Sequence, residues 1–161
     1  MTVIIDVIND SASTNVPGAV QLQTWGEAVL KHLEATNKPL SLGLRIVDEE
    51  ESAAINLAYR QKDYATNVLS FGVEIPDEIV HNLDEIPLGD LVICATVVAR
   101  EAEAQDKSLP AHWAHMLVHG MLHLNGFDHE TEAEALAMET LETLILAELG
   151  FENPYKAEQQ N

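Results

Sequence analysis

The apolar positions of this chain change period along its length, and the change predicts where strands give way to helices. Val3 to Ile8 is a short run of β-favouring residues, and Leu40, Leu42, Leu44 and Ile46 alternate with their neighbours, so strands are predicted over 3–8 and 40–47. Between them Trp25, Val29 and Leu33 recur at helical spacing and predict an amphipathic helix from Val20 to Ala35. Asp48, with Glu51 three residues later, has the form of a capping box opening a helix that ends near Arg60. A strand over Asn67 to Val73, a loop rich in proline and acid from Glu74 to Pro87 and an apolar strand from Leu88 to Ala95 follow, suited to a long-looped hairpin. From Thr96 the pattern is helical: Val97 to Gln105, a break at Leu109-Pro110, His112 to Asn125, and a last helix opened by Thr131, with Glu134 as its capping partner, and closed by Gly150.

Strands first and helices later predict an α+β domain, a small mixed sheet covered mainly by helices, with the helix at 112–125 the most buried. At 161 residues, with no repeat or linker, one domain over 1–161 is expected. Met1 to Asp6 lacks a basic stretch and meets an acid too early for a signal peptide, and no apolar run approaches membrane-helix length, so a cytoplasmic protein is expected. Cys94, the lone cysteine, lies in an apolar run and reads as a core thiol. The formal charge of −19 argues against broad attraction to nucleic acid or anionic membranes, so any polyanion must meet a local positive spot. Acidic runs such as Asp48 to Glu51, and Glu132, Glu134, Glu139 and Glu142, read as solvated helix faces.

His119, His123 and His129 are spaced four and then six residues apart. On a helix the first pair projects from one face, Gly126 supplies a residue tolerant of positive φ to end that helix, and the reversed chain can return His129. Stepping about 100° per residue from His112, the positions of His115, His119 and His123 stay on the same side of a helix otherwise apolar around most of its circumference. A polar stripe there must be hydrogen-bonded, metallated or open to a cleft. Three neutral imidazoles with a position left open match a catalytic metal site, whereas His112 and His115 read as core or supporting hydrogen-bonding residues. The spacing is that of the metzincin peptidases, but Gly120 stands where their glutamate accepts a proton, which disfavours peptidase chemistry by that route. A mid-helix glycine costs about 1 kcal/mol relative to alanine, and two accounts stand for it: close helix packing, or room for a bulky substrate.

These histidines, with His112-Trp113-Ala114-His115-Met116, Thr66-Asn67-Val68-Leu69-Ser70-Phe71 and Gly89-Asp90-Leu91-Val92-Ile93-Cys94, resemble the YbeY family of metal-dependent endoribonucleases. The likeness is concentrated over residues 56–129 and weaker in the C-terminal helix and tail. It implies a single-strand-specific endoribonuclease of ribosomal RNA maturation, including 16S 3′-end processing, and of ribosome quality control. It further implies one zinc ion on His119, His123 and His129, a functional Arg60, and ribosomal RNA and ribosomal subunit proteins as partners, with no DNA. A guanidinium fork suits phosphate oxygens and charge developing on an attacked phosphodiester. Lys62 and Ser70 are softer candidates for contact with the RNA backbone. Asp128 stands open as a proton acceptor, an orienting partner for a histidine or a helix cap. Two other readings are a metalloprotease-like hydrolase and a non-catalytic ribosome-assembly factor with a structural metal.

Overall fold

The computed structural model describes residues 2–34 and 36–156. Four strands, β1 (Val3–Asn9), β2 (Leu40–Val47), β3 (Val68–Gly72) and β4 (Ile86–Cys94), form one mixed sheet in the order β1-β2-β4-β3. The first two junctions are parallel and β3 runs antiparallel to β4, with Ser70 opposite Leu91. The parallel junction of β1 with β2 needs a crossover, and helix α1 (Ala19–Leu30) supplies it. The remaining helices are α2 (Glu49–Arg60), α3 (Asp77–Val80), α4 (Ala95–Ala104), α5 (Leu109–Leu124) and α6 (Glu132–Glu148). This is the expected α+β architecture.

The alternation in β2 sends Leu40, Leu42, Leu44 and Ile46 into the main core, where they meet Leu91 and Ile93 of β4 and the apolar faces of α1, α5 and α6. A smaller cluster holds Val47, Leu69, Val92, Cys94 and Val97, with Ile55 of α2 packed on it. The Cys94 thiol is therefore a core group, and burial pushes its pKa up. Helix α5 touches α1, α4, α6, β3 and β4, which makes the histidine-bearing element the hub of the fold. Among the described residues no helix is long and apolar enough to cross a membrane.

Several predicted boundaries move for identifiable reasons. α1 stops at Leu30, and i→i+3 bonds from His32 and Leu33 tighten the chain so that Leu33 still reaches the core; Ala35, the predicted end, lies outside the described residues. Leu109-Pro110 is a helix start: Ser108 caps α5 by accepting from the Ala111 N–H, and Pro110 occupies the first turn, where its missing N–H costs nothing. Asp48 does precede α2, but its carboxylate accepts from the Ala12 N–H, while Glu51 pairs with Arg45 instead of closing a capping box. The acidic loop at 74–87 contains the single turn of α3. Thr131 caps α6 by accepting from the Glu134 N–H, the N-cap half of the predicted capping box.

Candidate metal centre

Helix α5 ends in a Schellman turn. The Phe127 N–H donates to the Leu122 carbonyl, the Gly126 N–H donates to the His123 carbonyl, and Gly126 takes φ +94°. The turn does two things for the histidines. It swings the Phe127 carbonyl within 3.0 Å of His123 Nδ1, and it sends the chain back so that the His129 ring lies 5.0 Å from that of His123 and 5.8 Å from that of His119. His119, His123 and His129 can each offer one nitrogen with all three nitrogens within 4.8 Å of one another.

The nitrogens that face inward are fixed by what their ring partners bind. His119 Nδ1 lies 2.6 Å from Glu142 Oε1, so that nitrogen carries the proton, just as His123 Nδ1 donates to the Phe127 carbonyl. Both Nε2 atoms are left as lone-pair donors, and they face each other at 3.1 Å. Two like acceptors turned toward one point are the donor set of a cation site, so the residues present fit a divalent metal bound by imidazole. Burial pushes the His123 pKa down, and the neighbouring His119 and His129 push it further the same way, which favours the neutral form that can ligate.

Glu142 was expected on a solvated face of α6; it is instead 0% exposed. Its Oε2 accepts from His115 Nε2 at 2.9 Å and from the Tyr155 hydroxyl, while Oε1 serves His119. Burial alone would push this carboxyl up, but the bonds from His115 and His119 outweigh it and hold the pKa at about 2. The signal was present in the sequence: Met138, Glu142, Ile145 and Leu146 share one helical stripe, and the other three are core residues. Burial also lowers the His115 pKa, which favours the neutral form of that imidazole beside the ionised Glu142. His112, the other supporting histidine, bonds Glu101, which also accepts from the Asn67 side chain. Glu101 is thereby held below the ordinary carboxylate range despite the opposing effect of burial.

Gly120 resolves in favour of close packing. A Cβ there would stand 2.7 Å from Leu91 Cδ2 of β4, so the missing side chain lets α5 lie against the sheet and leaves no place for a glutamate. Asp128 uses Oδ1 to accept the His129 backbone N–H at 2.8 Å, which orients the segment carrying the third histidine.

A cleft of about 830 Å³ opens over the three histidines. Arg60, the last residue of α2, lines it together with Ser70 and Phe71 of β3, and among the described residues the Arg60 guanidinium has no ion-pair partner. Lys62 is exposed but does not line the cleft. The positive spot on this acidic surface is therefore local: one guanidinium, with no ion pair among the described residues, on the same cleft as three imidazoles.

A family profile described as Endoribonuclease YbeY matches residues 7–150. A Stutzerimonas stutzeri protein named Endoribonuclease YbeY is 53% identical over 146 residues, covering 89% of this chain and 87% of that protein. A Xanthomonas campestris protein of the same name is 52% identical over 146 residues, covering 91% and 89% of the two chains. The solution structure of TM1509 from Thermotoga maritima aligns with a TM-score of 0.54 over 91% of each chain at 19% identity, a likeness of fold.

Proposed function

This chain belongs to the YbeY endoribonuclease family, and on that premise we propose that it cuts single-stranded ribosomal RNA during ribosomal RNA maturation and ribosome quality control, using the cleft between α5 and β3. The observation that carries the site assignment is the paired Nε2 atoms of His119 and His123, with His129 returned beside them and Arg60 across the same cleft. In this reading His119, His123 and His129 hold one zinc ion, which supplies Lewis-acid polarisation when bound. Glu142 and the Phe127 carbonyl keep two of the ligands in the correct tautomer. Arg60 grips the scissile phosphate with its fork of N–H donors and neutralises charge that builds on the phosphoryl oxygens. Ser70, on the cleft wall, donates to the RNA backbone, and Lys62 extends that contact beyond the cleft. In this reading the protein works in the cytoplasm, among ribosomal subunit proteins.

The test is cleavage of purified ribosomal RNA by metal-loaded protein, with Arg60→Ala and His119→Ala alongside. Arg60→Ala is expected to lose on the order of 100- to 1000-fold in rate while keeping its fold and metal, because the side chain is exposed and makes no ion pair among the described residues. His119→Ala is expected to lose metal and activity together. Intact ribosomal RNA after incubation with the wild-type protein and ribosomal subunits would overturn the assignment, and normal maturation with Arg60→Ala would favour a non-catalytic assembly role. End groups of the products report the nucleophile: a 2′,3′-cyclic phosphate marks attack by the RNA's own hydroxyl.

A further inference from the structure

Resting on the RNA reading above, we infer that Tyr59, backed by Phe71, is a stacking platform for one unpaired base of the bound strand. Tyr59 precedes Arg60 in the last turn of α2 and lines the same cleft as Arg60, His123 and His129. It is 72% exposed. Its ring meets that of Phe71 edge to face, with centroids 5.1 Å apart and planes inclined at 67°. In such a pair the edge of one ring meets a face of the other, so Phe71 covers at most one face of Tyr59 and steadies the ring in one orientation.

The electrostatics of the chain make this surface necessary. With 27 acidic residues against 8 lysines and arginines, the protein as a whole repels a phosphate backbone. Among the described residues lining the cleft, Arg60 is the only lysine or arginine. One guanidinium can fix one phosphate, but it supplies little of the counterion release from which nucleic-acid affinity usually comes. Base stacking is the contribution that needs no charge, and unpaired bases offer it where a duplex does not. The other aromatic rings do not compete for the role. Trp25 and Trp113 are core residues, Phe127 lines the cleft but packs on the core, and Tyr64, Phe151 and Tyr155 do not line it. A ring as open as Tyr59 also contributes little to stability, so its removal separates binding from folding.

The experiment uses the metal-loaded full chain and a short, end-labelled single-stranded oligoribonucleotide of mixed sequence, in intact and abasic forms. Before turnover, anisotropy of the label reports binding to every variant, and stopped-flow tryptophan quenching with the unlabelled strand reports contact at Tyr59→Trp. Tyr59→Trp places a reporter in the cleft, since Trp25 and Trp113 are only 5% and 1% exposed and are shielded from the oligonucleotide. The intact oligonucleotide is expected to quench the reporter and the abasic one is not. Tyr59→Ala is expected to weaken binding of the intact oligonucleotide by about five- to a hundredfold, to the level at which wild type binds the abasic one, while Tyr59→Phe retains binding. Metal content and melting temperature of each variant should match wild type. Binding indifferent to Tyr59→Ala, or quenching equal for both oligonucleotides, overturns this inference alone. Wild-type protein that binds neither oligonucleotide overturns the RNA reading and this inference with it.

Discussion

Glu142 concentrates the chemistry of the site in one buried carboxylate. Its folded pKa of about 2 lies below the unfolded value of 4.5, so its stabilisation is present above pH 4.5 and is lost as pH falls from there toward 2. His115 acts in the same direction: burial depresses its pKa, so its contribution is complete above pH 6.5 and declines as acid charges it. The metal-free protein is therefore expected to lose stability steadily below neutral pH, measured by urea unfolding at a series of pH values. Glu142→Gln should cost on the order of 2 to 4 kcal/mol at pH 7 and flatten the acid limb below pH 4.5. An acid limb unchanged by the substitution would contradict the assignment. The amide has a second effect, since only one of the two former carboxylate oxygens can still accept and the other position becomes an NH2 donor. Where its NH2 meets His119 Nδ1, the ring must move its proton to Nε2, and metal affinity should fall about 10- to 100-fold in competition with a chelator.

At the scale of elements, the end of α5 decides whether the third histidine arrives. Gly126 holds φ +94° with nothing within 4 Å of a would-be Cβ, so alanine there suffers from backbone strain and not from collision. Gly126→Ala should cost about 1 to 2 kcal/mol in thermal unfolding and loosen metal binding more than its stability loss alone explains, because His129 is displaced. Stability loss without any change in metal affinity would mean that His129 is not positioned by this turn. This turn could be anticipated from sequence because every part of it is local: two histidines one turn apart, then glycine, then the returning histidine. The contacts that escaped sequence reasoning are long-range. Asp48 has the sequence of a cap but is claimed by the Ala12 N–H 36 residues away, and Glu142 looks like its solvated neighbours until α6 is laid on α5. Period alone does show that Glu142 interrupts an apolar stripe, and that interruption is the sign to seek in other acidic helices.

Across the whole molecule, the strand-then-helix order and the helical run at 112–125 were enough to anticipate a mixed sheet with a buried histidine helix. The closeness of α5 to β4 was not, because it depends on Gly120 meeting Leu91, two residues that only the fold brings together. That hub position predicts that an ion bound at α5 stabilises the entire domain. Chelation should lower the melting temperature, and added zinc should restore it in a concentration-dependent way, as expected for a ligand that binds only the folded chain. A melting temperature indifferent to chelator would contradict a site built on the hub. The three histidines are nevertheless unequally anchored, for His119 and His123 ride on the hub helix while His129 is exposed on the segment after the turn. An ion held this way would have a door. Swinging residues 128–130 outward would break one of three bonds while Phe127 stays packed on the core, so exchange of a bound ion against a coloured chelator should run far faster than global unfolding and should slow when that segment is pinned.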